Sequence, residues 1–381
     1  MKKLSKALSV VLGMVLVLGF FSCQTGTTFT ETAATPQKTA GSISYATTTV
    51  EKTTADEAFT NELTKTGDGT VSYTSSKEAV ATVDASTGEV TIVGVGTATI
   101  TATVTDSDTY TYATKTANYI IKVINIIGTK APGVGKDVGD IVFTDGSAMP
   151  YADFNALDDD AKNEKKTFAI ALIFYKGTGL NSGNDTTTSR TLGVGLKHLQ
   201  YPFDTCWCDN RAAAYNINIT TVQCKSSGSD GALTFTDETA NDRNGSDNFE
   251  QIAAFLTSAD GVTDDTVTNK NSYGAFQRAK NYKNKATNIT GTAYEDGWYI
   301  PSLAELFQIY ANGKGANKVF DIDSASIALD GHQFYRALYW SSSQSVSEAN
   351  MACTISFMEG KVMEKDKKDY APQLCYIREF N

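Results

Sequence analysis

The stretch Gly297-Trp298-Tyr299-Ile300-Pro301-Ser302-Leu303-Ala304-Glu305-Leu306 decides the fold of the larger part of this chain. Pro301 stands just ahead of a helix start, where it removes no helical hydrogen bond. Ser302 is placed as the N-cap, its hydroxyl able to accept an amide proton from the first turn. Glu305, three residues on, completes a capping box. Leu303, Leu306, Phe307 and Tyr310 follow at helical spacing and supply the buried stripe. Downstream, Leu338-Tyr339-Trp340-Ser341-Ser342-Ser343 and the closing Ile377-Arg378-Glu379-Phe380-Asn381 are aromatic and small residues of scaffold type. Interspersed with this scaffold and just ahead of it, Phe334, Tyr335, Arg336, Leu338 at the scaffold's own edge, Ser345, Ser347, Glu348, Asn350, Met351, Met358 and Glu359 share neither period nor chemistry. Such a mixture fits a binding face better than an active site.

Upstream of that stretch, Val138 to Gly146 reads as a strand followed by a turn. Ala152 to Lys166 predicts a short charged helix, whose Asp158-Asp159-Asp160 run is either a solvated face or a cation ligand. Phe168 to Tyr175 is an apolar run bounded by Lys and Gly, which predicts a buried strand. Residues 225 to 248 are rich in Ser, Gly, Asp and Asn and predict loop. Helices are expected from Asn248 to Leu256 and from Ser272 to Lys285, the second with Tyr273, Phe276 and Ala279 on one face.

From about Ser42 to Val123 the chain is rich in Thr and Val. Ala79 to Asp84, a turn at Ser86-Thr87-Gly88, Val90 to Gly96 and Thr97 to Val104 alternate apolar with polar residues between regular turns. Period-two alternation of this kind predicts an all-β sandwich. The stretch from Ser72 to Val104 resembles the group 2 bacterial immunoglobulin-like domain, through its Val-Ala-Thr-Val-Asp, Thr-Gly-Glu-Val and Gly-Val-Gly-Thr-Ala-Thr-Ile segments. The resemblance implies a stalk or adhesive module, and nothing in the stretch offers catalytic chemistry. We read it as a spacer.

The amino terminus gives an address. Lys2, Lys3 and Lys6 precede an apolar run from Ala7 to Phe21, and Ser22-Cys23 follow. The run is short for a membrane span and is flanked as a signal peptide is. Cys23 resembles a bacterial lipoprotein cleavage site, which implies lipidation there and a membrane anchor through acyl chains. The expected plan is a lipoprotein signal peptide over 1–22, a flexible tether over 23–40, an immunoglobulin-like domain over 41–125 and a terminal domain over 126–381. The expected location is the outer membrane or cell surface.

Composition narrows the function. The 381 residues carry a formal charge of −10, and the basic residues are scattered, so nucleic acid is not an expected partner. The two histidines, His198 and His332, are distant in sequence, which disfavours histidine catalysis or a histidine-rich metal site. No metal or cofactor is expected. Beyond Cys23, five cysteines remain: Cys206, Cys208, Cys224, Cys353 and Cys375. One of the first two could pair with Cys224, and Cys353 with Cys375. Alternatively, all are buried thiols packing as small hydrophobes.

The terminal domain resembles one family through Asp145-Gly146, Gly297-Trp298-Tyr299-Ile300-Pro301-Ser302, Glu305-Leu306, Tyr339-Trp340-Ser341-Ser342-Ser343, Phe357 with Gly360, and Ile377-Arg378-Glu379-Phe380. It looks like the C-type-lectin-fold variable proteins of diversity-generating retroelements, in the branch related to the formylglycine-generating enzyme. The resemblance implies a multidomain chain: an all-β Ig-like sandwich, then an α+β C-type lectin fold of the formylglycine-generating-enzyme type. It also implies a variable region over about 334–380, rewritten by mutagenic reverse transcription at template adenines. The positions from Phe334 to Glu359 named above become candidates for ligand contact, and Tyr339, Trp340, Ser341, Ser342, Phe357, Gly360 and Arg378 match framework positions. Ala352-Cys353 and Cys375 depart from the family's usual Ala-Trp and Arg. The expected partner is a protein or glycan on another cell or host. The main alternative is an adhesin of fixed specificity. An oxidase like the related enzyme would need Cys353 and Cys375 as its redox pair and is not expected. The Glu-Pro-Asn, Gln-Pro-Asp and Trp-Asn-Asp tripeptides of calcium-dependent lectins do not occur.

Overall fold

The structure is a computed structural model that describes residues 37–182, 185–198, 205–229, 231–235, 239–258 and 272–380. The expected signal peptide, Cys23 and most of the expected tether lie outside the described residues. The described chain is mostly β, in several sheets with few helices. No helix among the described residues is long and apolar enough to cross a membrane.

Strands between Thr39 and Ile124 enclose one core. The central sheet has the order Thr49–Thr53, Thr116–Ile124, Gly96–Val104, Val71–Ser75. Residues Ala117, Tyr119, Ile121 and Val123 point inward and their neighbours outward, because only one face of the sheet is covered. The expected turn is built by Asp84, whose Oδ1 accepts from the amides of Ser86 (2.9 Å) and Thr87 (2.7 Å). Gly88 closes it at φ +76°, with the Tyr73 ring 2.9 Å from where a Cβ would sit.

The second part opens on a five-stranded antiparallel sheet, in the order Ala148–Pro150, Asp140–Phe143, Ala169–Gly177, Arg190–Gly195, Ile377–Glu379. The last described strand therefore lies beside one from the middle of the chain. The apolar run after Phe168 is indeed the buried central strand of this sheet. A three-stranded antiparallel sheet, Leu338–Gln344, Met351–Ser356, Lys361–Asp366, stands apart from it. The helix Leu303–Gly313 packs against both sheets.

That helix carries the capping box read from the sequence. Ser302 Oγ accepts from the Glu305 amide at 3.2 Å, and Glu305 Oε2 accepts from the Ser302 amide at 2.8 Å. What the sequence did not announce is that Glu305 is wholly buried and paired with Arg190 at 2.9 Å. Its two oxygens take four donors: Arg190 Nη1, the Tyr299 hydroxyl and the amides of Gly245 and Ser302. Burial pushes this carboxyl upward and Arg190 pulls it back. The donor count is what a buried carboxylate requires.

Several local expectations shift. The helix expected over 152–166 breaks at Leu157 into Tyr151–Ala156 and Asp159–Lys166. Asp158 caps the second piece, accepting from the Ala161 amide at 2.8 Å, while Asp159 and Asp160 face its positive end and Lys165 and Lys166 its negative end. The acidic run is thus a helix start. The helix after Ser272 spans Gly274–Lys280 and continues as a 3-10 turn, Tyr282–Asn284, with Tyr273, Phe276 and Ala279 buried. The expected loop over 225–248 includes a small hairpin, Ser227–Ser229 with Ala232–Thr234. Neither cysteine pairing forms: Cys206, Cys224, Cys353 and Cys375 are free thiols, and Cys208 is buried alongside them.

Candidate functional site

The candidate contact residues gather at the two ends of the Leu338–Gln344 and Met351–Ser356 hairpin, separated by a seven-residue strand. At 3.3 Å per residue the ends lie about 20 Å apart. At one end are Phe334, Tyr335, Arg336, Leu338, Met358 and Glu359. Ser345, Ser347, Glu348, Asn350 and Met351 are at the other. Tyr335, Arg336, Ser347, Glu348, Met358 and Glu359 are exposed; Leu338, Asn350 and Met351 are half-buried.

Two candidates do not reach the surface, which corrects their grouping with it. Phe334 is 1% exposed and sits in an aromatic stack, its ring 5.6 Å from Phe357 and 4.3 Å from His198. Ser345 is fully buried, and its hydroxyl accepts from the amides of Ser347 (2.9 Å) and Glu348 (3.1 Å). Each had looked like its neighbours because it stands in an irregular segment, where period gives no guide to direction.

The backbone of the first loop is held by side chains from outside it. His198 Nε2 meets the Gln333 carbonyl at 2.8 Å, and burial drives its imidazole down to about 3, so the ring is neutral and donates. Asp323 Oδ1 accepts from the Phe334 amide at 2.9 Å. Lys314 Nζ donates to the Phe334 carbonyl at 2.6 Å and is paired with Asp323. The Tyr335 amide donates to the Tyr339 hydroxyl at 3.1 Å. Successive polar groups from Gln333 to Tyr335 are therefore fixed without help from the side chains of Tyr335 or Arg336.

The second loop repeats the device with other residues. Gln223 Nε2 donates to the Ser345 carbonyl at 3.0 Å. Gln344 Nε2 and Lys367 Nζ each donate to the Ala349 carbonyl at 2.7 Å. Lys367 is fully buried, also reaches the Ala214 carbonyl at 2.6 Å and lies 4.9 Å from the centre of the Trp207 ring. Burial lowers its ammonium to about 8. Sequence reasoning missed Lys314, Asp323, Gln344 and Lys367. Within Lys365-Asp366-Lys367-Lys368, Lys367 looks like any solvated charge, and no sequence signal marks it.

Cys353 and Cys375 are both buried, and burial raises both thiols, Cys353 to about 12. A nucleophilic cysteine needs the reverse shift, toward thiolate. Among the described residues no group of His, Cys, Asp and Glu is arranged to hold a metal.

A groove of about 530 Å³ opens beside the first loop. Tyr310, Lys314, Lys318, Asp321, Asp323, Phe334, Tyr335, Arg336, Phe357 and Met358 all contribute to it. Gly360 lies in the turn from Met351–Ser356 to Lys361–Asp366 at φ +71°, where a Cβ would fall 2.2 Å from the Tyr310 ring.

Comparison with known proteins gives one family: residues 60–106 match the immunoglobulin-like domain of intimin. The chain thus carries an N-terminal Ig-like domain. No curated protein matches. Among solved structures, a fimbrial protein from Bacteroides ovatus aligns with a TM-score of 0.43 and 14% identity, over 89% of this chain and 70% of that one. A likeness this low carries no argument.

Proposed function

We propose that this protein is a lipid-anchored surface lipoprotein whose terminal domain presents an exchangeable binding face to a macromolecular partner, a protein or glycan on another cell or host. On this reading Cys23 carries the lipid, the Ig-like domain is the spacer, and the terminal domain is a C-type lectin fold of the formylglycine-generating-enzyme type diversified by a retroelement. The observation that supports it best is the pinning of both loops by Lys314, Asp323, His198, Gln344 and Lys367. A surface that accepts many residue types can contribute little to the core, so its backbone needs outside support. The match to an intimin Ig-like domain fits a surface adhesin-like protein. The burial of Cys353 and Cys375 away from solvent favours binding over oxidase chemistry.

The deciding experiment is to sequence the terminal coding segment from many cells of one culture. Variation should fall on Tyr335, Arg336, Ser347, Glu348, Met358 and Glu359 and spare Phe334, Ser345, Lys314 and Lys367. An invariant segment, with no neighbouring near-copy differing at adenines, would leave an adhesin of fixed specificity instead.

A further inference from the structure

Resting on that reading of the first loop as a contact surface, we propose that the groove beside it takes an acidic peptide segment, with a ligand carboxylate on Arg336 and an adjoining apolar side chain against Tyr335 and Met358.

The charge pattern carries the argument. Three cations and two carboxylates line the groove: Lys314, Lys318 and Arg336 against Asp321 and Asp323. Lys314 is committed to Asp323 and the Phe334 carbonyl. Lys318 is committed to Asp321 at 2.6 Å. Arg336 is exposed and has no hydrogen-bonding or ionic partner among the described residues. Locally the groove therefore has one positive charge to spare, on a chain whose net charge is −10. A guanidinium in this position offers a planar fork of donors that matches a carboxylate with two parallel hydrogen bonds.

Two exposed side chains beside the cation favour a peptide over an acidic sugar. Tyr335 is 45% exposed and Met358 is 60% exposed, two large apolar surfaces facing water beside the cation. Beneath them lies a rigid floor, with Phe334 stacked on Phe357 and Tyr310 5.9 Å from Phe357. A methionine thioether offers a sugar hydroxyl only a weak acceptor, whereas it packs readily on a Leu, Phe or Met side chain. The pinned loop backbone means that little is lost in ordering the site when a ligand arrives.

The test uses the full chain, immobilised, as bait for a random dodecapeptide display library. Enriched peptides should carry Asp or Glu next to an aliphatic or aromatic residue. Their affinity should fall about tenfold or more with Arg336→Gln, as expected for loss of a charge-assisted contact. It should be unchanged with Arg211→Gln, an exposed arginine elsewhere. Melting temperatures should match across the variants, since both arginines are exposed. Enrichment without acidic residues, indifferent to Arg336→Gln, overturns the proposal; if those peptides still need Tyr335, the contact surface stands. Peptides indifferent to both Arg336→Gln and Tyr335→Ala, or no enrichment at all, overturn the acidic-peptide assignment and remove support for the surface itself. A hyaluronan hexasaccharide that binds at the groove more tightly than the acidic peptides also overturns it, in favour of a glycan.

Discussion

The strands Thr116–Ile124 and Met351–Ser356 bury their residues in opposite ways. In the first, every second residue is buried. In the second, Ala352, Cys353, Thr354 and Ile355 are buried in succession. The difference is coverage. The Ig-like sheet turns one face to water. The terminal hairpin is packed on both sides, Ala352 and Trp340 joining the cluster around Trp207, and Cys353, Ile355 and Tyr339 joining the cluster around the Leu303–Gly313 helix. With both faces of this hairpin covered, what stays open is its two ends and the exposed edge strand Lys361–Asp366, and the exposed candidates stand at the ends. The hairpin must also satisfy the buried Ser341, Ser342, Ser343, Gln344 and Thr354 internally. One of the bonds that do so, from Gln344 Nε2 to the Ala349 carbonyl, also fixes the second loop.

The contrast can be broken most directly at two adjacent residues. Phe334→Ala should cost ~3–5 kcal/mol, as for a large buried aromatic. Tyr335→Ala should stay within ~0.5 kcal/mol, as for an exposed side chain. Chemical denaturation of both variants checks this; equal losses would mean that the loop is packed otherwise.

Next come paired substitutions along the two strands. Ile121→Ala should cost ~2–5 kcal/mol and the neighbouring, 43% exposed Ile120→Ala little. In the terminal hairpin both neighbours should matter. Ile355→Ala should cost ~2–5 kcal/mol. Thr354→Val, which loses the bond to the Met363 carbonyl at 2.7 Å, should cost ~1 kcal/mol.

The third concerns Asp242, a buried carboxyl that burial raises to about 7. Between its unfolded value of ~4 and that point, the folded chain holds a proton that the unfolded chain has released, so stability falls as pH rises through the window. Asp242→Asn should match wild type below pH ~4 and exceed it by ~2–4 kcal/mol near pH 8. Melting curves across that range decide; parallel curves would show that Asp242 ionises freely in the fold.

The smallest expected effect is at Ser345→Ala. Losing the acceptor for the Ser347 and Glu348 amides should cost ~1 kcal/mol and loosen the second loop alone. Faster amide exchange from Ser347 to Asn350, with the first loop unchanged, would show that the two ends are held independently.

Local signals were legible where cause and effect are close in the chain. The Ser302–Glu305 box, the Asp84 turn and the alternation from Gly96 to Val104 each depend on residues within a few positions of one another. The Arg190–Glu305 pair was not, since its members are 115 residues apart and nothing in either neighbourhood refers to the other. The candidate site was legible as a region and blurred in detail. Tyr335, Arg336, Met358 and Glu359 are exposed at one end, while Phe334 and Ser345, read as equivalent to them, are interior.

By itself the sequence determined the alternating strands of the Ig-like part, the capped helix after Ser302 and where irregular chemistry concentrates, because period, capping and turn residues act over a few residues. Only the tertiary structure decided which side chains of the irregular segments face water and which charges are committed. Lys314 and Arg336 are both cations of the same groove, yet one is bound by Asp323 and the other stands open. That distinction depends on partners brought close by folding, and no local rule encodes it.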